Sequence, residues 1–407
     1  MKIAILCRAY PPDIGGGGEI STRLLAEGLA VEGQSVHVVT FGDRSDPGPP
    51  ENVGGGLTIH RLPPPRPYRS LRCIGQPLHR RLRWHARQNF GRPPASVLRR
   101  LEAIGPDVVH TSTVEDFGFG VWRAVRRTGV PVIHTLRSWV LMHAHGTLFD
   151  NRRRRNRGPD ILTPWRRRAA DHVDGVVGLS RSILDGHRSR GFFPHAAAAV
   201  IGNPAGLNRR SVRRERSPNV RLGYLGRLSV EKGVVELCRA ASGVDADGWE
   251  LNIAGDGPET LKRRMREAAG GAPVRWVGRC DAAEFLSNLD ALIVPSLWHE
   301  PFGRIIVEAH SMGIPVACLR RGGMPELVDP GVNGWILDRI DAASVDRVRR
   351  EFGRFTRRDI VASASAFTVS RIARQYLAFY RTVLDRRDHQ CRPASRGLAG
   401  PDCVRAA

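Results

Sequence analysis

The stretch IVPSLWHEPFGRIIVEAHSMGIPVACLRRGGMPELV, from Ile293 to Val328, decides the reading of this chain. An apolar strand ends at Pro295, a loop carries Glu300, and a turn at Gly303 opens a helix that contains Glu308. A second strand runs from Ile314 to Leu319 and ends in Gly322-Gly323, then Pro325-Glu326. Strand, glycine turn, helix and strand is the unit of a parallel α/β sheet, whose ligands gather at the carboxyl ends of the strands. The first backbone N–H groups of a helix, with the positive end of its dipole, suit a diphosphate. Glu308 inside that helix is placed to accept hydrogen bonds from a ribose diol, and Glu300 before the turn lies near a sugar. The stretch therefore suits a sugar nucleotide.

The same alternation extends in both directions. In the first half, strands are expected at Lys2–Cys7, Ser35–Phe41, Asp107–Thr111, Pro131–Leu136, Gly175–Leu179 and Ala199–Ile201, with a first helix over Glu19–Glu32. The pattern restarts at Val220, with strands at Val220–Leu225, Glu250–Ala254, Val274–Val277, Ala291–Val294 and Pro315–Leu319. Gly202-Asn203-Pro204-Ala205-Gly206 and the arginine-rich stretch after it read as the linker. Two doubly wound domains follow, residues 1–205 and 206–368. A helix over residues 369–385 carries Ile372, Tyr376, Phe379, Tyr380 and Leu384 on one face. Residues 386–407 read as a disordered tail. The segments Gly42–Pro94 and Leu141–Trp165 fit no regular period and are expected to be loop-rich.

Composition limits the function classes. A length of 407 residues suits two or three domains, and no apolar run reaches the length of a membrane span. The opening MKIAILCRAYPP ends its apolar run in Pro11-Pro12 and reads as a first strand, not a signal peptide. A cytoplasmic protein is expected, peripheral on the inner face of the plasma membrane. Seven scattered cysteines, without a CxxC pair, argue against a disulfide framework or a zinc site. The net charge of +23 comes almost wholly from arginine, since Lys2, Lys232 and Lys262 are the only lysines. Eleven arginines and no acidic residue lie between Asn52 and Leu101, and a second cluster spans Arg152–Arg155, Arg157 and Arg166–Arg168. Such clusters attract anionic lipid headgroups, polyprenyl phosphates or nucleic acid, although codon-driven arginine in solvated loops explains them equally well.

Other motifs stand at strand ends. Tyr224-Leu225-Gly226-Arg227-Leu228-Ser229-Val230-Glu231-Lys232-Gly233 leaves a strand and enters a helix with two cations, a planar fork and a point charge. Ile253-Ala254-Gly255-Asp256-Gly257-Pro258 ends the next strand in a turn. Gly15 to Gly18 precede the first helix and let backbone N–H groups, Gly16 and Gly17 among them, approach a phosphate or sugar oxygen. The dinucleotide fingerprint G-x-G-x-x-G is absent, and the second strand does not end in an acidic residue.

Together these motifs resemble the retaining glycosyltransferases of family 4. The stretch from Pro295 to Val316 resembles their Glu-x7-Glu signature, and Arg227 with Lys232 resembles their G-R-L-x-x-x-K-G phosphate site. The resemblance implies a GT-B fold, in which two Rossmann-like domains face each other across a cleft and a C-terminal helix crosses back to the first domain. It implies a nucleoside-diphosphate sugar donor, with no metal, no cofactor and no nucleic acid expected; the basic loops of the first domain suggest a glycan or polyprenyl-linked acceptor. Arg227 and Lys232 would neutralise the leaving diphosphate, and Glu300 would stand at the reacting face of the sugar. The amides of Phe302 and Gly303 would touch sugar hydroxyls, those of Arg304 and Ile305 the diphosphate, and Glu308 the ribose. Gly255 and Gly257 would approach the nucleotide, and Gly16 and Gly17 the donor from the first domain. In Thr135-Leu136-Arg137-Ser138-Trp139, Arg137 stands where many members have a histidine that contacts the donor sugar. An arginine cannot act as a base but can hold an oxygen or a phosphate. His110 reads equally as a cleft-wall or a functional residue, and Glu326 as structural. Two alternatives stay open here. One is a sugar-nucleotide epimerase on the same fold; the other is a polyanion- or membrane-binding protein that tolerates loss of Glu300.

Overall fold

A computed structural model describes residues 1–46, 48–73, 75–144, 146–148, 160–206 and 217–391. The first domain holds β1 (Lys2–Leu6), β2 (Ser35–Phe41), β3 (Glu51–Gly54), β4 (Leu57–Leu62), β5 (Val108–Thr111), β6 (Val132–Leu136), β7 (Gly175–Gly178) and β8 (Ala197–Val200). They form one sheet in the order β3-β4-β2-β1-β5-β6-β7-β8, parallel except for the β3–β4 hairpin. The second domain holds β9 (Val220–Leu225), β10 (Trp249–Ala254), β11 (Val274–Gly278), β12 (Ala291–Val294), β13 (Val316–Leu319) and β14 (Gly334–Leu337). Their order is β11-β10-β9-β12-β13-β14, and every pair is parallel.

Central strands such as β5 and β12 are buried on both faces, because helices cover each side of a parallel sheet. This is why β12 reads as the continuous apolar run Ala-Leu-Ile-Val rather than as an alternating pattern, while β5 buries His110 and Thr111 as well. In each sheet the order in which strands are added reverses at its middle, at β1/β5 and at β9/β12, and ligands of doubly wound sheets bind beyond the strand ends at that point. The strand ends of both domains line one cleft.

The C-terminal helix runs Val369–Cys391, six residues beyond the expected end. It buries Ile372, Ala373, Tyr376, Leu377, Phe379, Tyr380 and Val383 in the core made by β1, β2 and the helix Gly17–Val31. Val383, not Leu384, completes the apolar face; Leu384 is half-buried. Two hydroxyls anchor this helix: Tyr376 Oη lies 3.1 Å from Thr135 Oγ1, and Tyr380 Oη 2.8 Å from His110 Nδ1. The helix therefore fastens chain that has passed through the second domain onto the floor of the first.

Several expectations need correction. Gly42–Pro94 is not loop alone: it contains the β3–β4 hairpin and a helix over Leu78–Phe90. Gly54, Gly55 and Gly56 supply the positive φ of the hairpin turn, and arginine-rich composition masks the helix. β8 lies two residues earlier at its start than expected, and β14 was not anticipated. Part of the basic surface is also internal. Arg69 is buried between Asp13 (2.9 Å) and Asp43 (2.8 Å), and Arg166 is buried against Asp160 (2.9 Å). Asp13 and Asp43, from outside the first arginine run, and Asp160, from within the second, neutralise these two arginines in space. Arg152–Arg155, Arg157, most of the expected linker and residues 392–407 of the expected tail lie outside the described residues. Cys7, Cys73, Cys238, Cys280 and Cys318 are unpaired, with Cys7, Cys238 and Cys318 in the core.

Candidate active site

The cleft between the domains encloses about 580 Å³. From the first domain it is lined by Arg8 after β1, Gly15 to Glu19, Ser112, Thr113 and Glu115 after β5 and Arg137 after β6. From the second it is lined by Gly226, Arg227 and Lys232 after β9, and by Ser296, Trp298, Glu300 to Ile305 and Glu308 after β12. Every one of these groups follows the carboxyl end of a strand, so the topology alone brings them together.

Glu300 and Lys232 meet at the centre. Lys232 Nζ donates to Glu300 Oε1, and Ser296 Oγ donates to the same oxygen at 3.0 Å. Lys232 Nζ also lies 5.5 Å from the centre of the Trp298 ring, a cation–π contact that fixes the ammonium. Gly233 makes this meeting possible. Its φ is +69°, and a Cβ there would lie 2.0 Å from Pro295 O, so only glycine lets the lysine loop press against the glutamate loop.

The helix Arg304–Ser311 starts at Gly303, whose φ of +106° turns the chain into the cleft. No side chain caps this start, so its first N–H groups remain available to a ligand. Glu308, one turn in, is buried and paired with Arg304 Nη1 at 2.9 Å. Burial pushes the Glu308 carboxyl above its ordinary range, and Arg304 pulls it back. The Arg304 guanidinium reaches the first domain: a Cβ on Gly17 would lie 3.1 Å from Arg304 Nε. The side chain of Arg304, and not its amide alone, thus belongs to the cleft. Arg227 is 68% exposed, with Glu231 at 3.4 Å, which leaves its guanidinium open to the cleft.

On the opposite wall, the Arg137 Nε donates to Ser112 Oγ (2.7 Å) and its Nη1 to Asn203 Oδ1 (2.6 Å). Both acceptors are neutral. Arg8 is different: it pairs with Glu19 at 3.0 Å and Glu115 at 3.9 Å. Among the described residues, Arg137 is the one cation lining the cleft without a carboxylate within 4 Å.

Gly255 and Gly257 occupy a different place. Gly255 lines a smaller cavity of about 400 Å³ with Asp256, Lys262, Trp276, Gly278 and Arg279. A Cβ on Gly255 would lie 1.9 Å from Gly226 O, and one on Gly257 2.2 Å from Leu228 O. Both glycines therefore let the turn after β10 pack against the loop that carries Arg227. His110 is fully buried, with Tyr380 on Nδ1 and Thr135 Oγ1 2.7 Å from Nε2, and it does not line the cleft. It is a strut for the C-terminal helix. Glu326 accepts from the amides of Arg181 and Ser182 at 2.8 Å each, capping the first-domain helix Arg181–Arg188 from the second domain. Arg8, Glu115 and Asn203 join the cleft without having been singled out by the sequence, and Ser296 and Trp298 join it from within the Glu-x7-Glu stretch without having been assigned a role. Their position after strand ends was the available signal. Among the described residues, no group of three or more His, Cys, Asp or Glu is gathered as for a metal ion.

Comparison with known proteins agrees with this architecture. Residues 219–350 match the family described as glycosyl transferases group 1, and residues 16–204 match the glycosyl transferase 4-like domain. A 42.6 kDa protein of the cps region of Klebsiella pneumoniae is 27% identical over 385 residues, covering 94% of this chain and 100% of the relative. A GDP-mannose-dependent alpha-mannosyltransferase of Mycolicibacterium smegmatis is 25% identical and covers 95% and 99%. Among solved structures, sucrose-phosphate synthase of Thermosynechococcus elongatus superposes with a TM-score of 0.74 at 19% identity, covering 95% and 99%, which establishes the shared fold. With its two matched domains, its GT-B architecture and its cleft at the strand ends, this chain is a glycosyltransferase and belongs to family 4, the glycosyl transferases of group 1.

Proposed function

We propose that this enzyme transfers a sugar, with retention of anomeric configuration, from a nucleoside-diphosphate sugar to a glycan or polyprenyl-linked acceptor in cell-surface polysaccharide synthesis. The observation that carries the reading is the meeting of Lys232 and Glu300 beside an uncapped helix start, with Arg227 open to the same cleft. Similarity to a GDP-mannose-dependent alpha-mannosyltransferase supports a nucleotide-hexose donor. Similarity to a protein of a cps region supports a polysaccharide product.

In this reading the diphosphate lies against Arg227, Lys232 and the amides of Arg304 and Ile305, and its charge is neutralised without a metal. Glu308 holds the ribose, for which the Arg304 pairing leaves its second oxygen. Glu300 and the amides of Phe302 and Gly303 hold the sugar, with Gly16 and Gly17 closing over it. The acceptor hydroxyl oxygen bonds to the anomeric carbon on the face from which the phosphate leaves. The bond from that carbon to the phosphate oxygen breaks, and the departing phosphate takes the hydroxyl proton. Arg137 contributes charge and hydrogen bonds but no proton transfer. The acceptor side belongs to the first domain, at an anionic membrane surface on the cytoplasmic face.

Proton NMR of the first product formed from the preferred donor tests this directly. An anomeric coupling that matches the donor supports the reading; inversion, or epimerisation of the nucleotide sugar without transfer, refutes it.

A further inference from the structure

The helix Leu78–Phe90 lies in the first domain and reads LHRRLRWHARQNF, with four arginines and no acidic residue. Its inner side is specifically anchored. Trp84 Nε1 donates to Asp116 Oδ1 (3.1 Å), Gln88 Nε2 donates to Val114 O (3.2 Å), and Arg166 Nε donates to Asn89 Oδ1 (2.8 Å). The outer side is the reverse of a solvated helix. Leu78, Leu82, Ala86 and Phe90 recur every four residues and so share one face. That face points away from the protein: Leu78 is 69%, Leu82 60% and Phe90 57% exposed. Phe90 packs edge-on against Trp165, itself exposed, with ring centres 5.8 Å apart. Arg81 and Arg83, also exposed, flank the stripe.

A contiguous exposed apolar stripe rimmed by charge marks an interaction surface. Resting on the proposed function, we infer that this stripe docks the enzyme on a bilayer containing anionic phospholipid, lying in the plane of the interface. Leucine, phenylalanine and tryptophan enter the acyl boundary, while the arginines reach the headgroup phosphates. Charge selects this occupant over a second copy of the chain. A two-fold contact through the stripe would set arginine against arginine with no acid in the helix to answer it. The anchor also orients the cleft. The inner side of the helix is held by Val114–Phe119, the loop after β5 that also supplies Glu115 to the cleft. The docked membrane therefore meets the first-domain lip of the cleft, where a lipid-linked acceptor would enter.

Vesicle sedimentation tests this, using phosphatidylcholine with and without phosphatidylglycerol, on the full chain and on Leu78→Asp/Leu82→Asp/Phe90→Asp. None of these side chains is buried, and nucleoside-diphosphate thermal shifts confirm that the variant keeps its fold and donor site. The wild type should sediment with anionic vesicles only, and the triple variant should bind about tenfold more weakly or worse. Arg81→Gln/Arg83→Gln should weaken binding to anionic vesicles. Wild-type protein that ignores anionic vesicles, or a triple variant that binds as well as wild type, overturns the inference. So does a wild-type dimer that the triple substitution converts to monomer without vesicle binding in either form. A nucleotide shift that persists in any of these cases leaves the transferase reading standing.

Discussion

Replacing Glu300 by Gln keeps the length of the side chain and its hydrogen bond from Ser296, but removes the negative charge facing Lys232. As the cleft stands, an incoming diphosphate must share the lysine with this carboxylate and also meets its like charge. Two unit charges 4 Å apart interact by about 4 kcal/mol at an effective dielectric near ~20. Lys232 is 23% exposed, so solvent screens a part of this. We expect about 1–2 kcal/mol in favour of diphosphate binding, a factor of ~5–30. Glu300→Gln should therefore bind a free nucleoside diphosphate as tightly as wild type or up to that much tighter. Its turnover should fall by about 10²–10³, the usual effect of removing a charge from the reacting centre. Lys232→Ala should move binding the other way. Loss of a charge-assisted hydrogen bond of about 1.5–3 kcal/mol weakens the diphosphate by roughly 10–150-fold. Isothermal titration of both variants, with initial rates on the same preparations, reads both effects. If Glu300→Gln weakens the diphosphate as much as Lys232→Ala does, the two residues form a structural pair, and the separation of roles argued above fails.

Three further outcomes follow from the same contacts. Tyr380→Phe leaves buried His110 Nδ1 without its hydroxyl partner, and urea denaturation should show a loss of about 1–3 kcal/mol with nucleotide affinity unchanged. Gly233→Ala places a Cβ against Pro295 O at positive φ, so it should cost more than about 1 kcal/mol of stability and also weaken nucleotide binding, both visible in thermal melts with and without ligand. Burial lowers His134 to about 3, and His187 and His310 to about 4, so the unfolded chain, with histidines near ~6.5, binds more protons. Their stabilisation is complete above that value and is lost as pH falls toward 4, by about 2 kcal/mol per histidine between pH ~7 and ~5. Glu308 and Asp116, both raised by burial, act in the opposite sense, as two groups against three. Chemical denaturation at the two pH values should show the loss, and a flat profile would mean these histidines are not held neutral.

The second domain was legible because its chemistry sits on short runs next to strand ends. Arg227, Lys232, Glu300 and Glu308 fall within two loops and one helix, and parallel topology carries those loops to one place. Contacts that join distant segments were not legible. Nothing local in the sequence shows that Trp298 lies under Lys232, that Arg304 reaches Gly17, or that Glu326 caps a helix of the other domain. The helix Leu78–Phe90 was hidden for a physical reason. Its apolar stripe faces outward while Trp84 and Gln88 face inward, so the ordinary link between periodicity and core is inverted. Likewise β14 is four residues between turns, too short to show a period. His110 shows the converse, since a motif-like position proved to be a strut once both ring nitrogens found partners.

The central claim is that Arg227 and Lys232 form a nucleoside-diphosphate site in the cleft. A thermal-shift panel of UDP, GDP, ADP, TDP and CDP on the wild type and Arg227→Ala/Lys232→Ala tests it most directly. A ligand at about a hundred times its dissociation constant adds about 2.7 kcal/mol of stability. The account predicts that at least one nucleotide raises the melting temperature of the wild type and not of the double variant. No shift with any nucleotide, or equal shifts in both proteins, would contradict it.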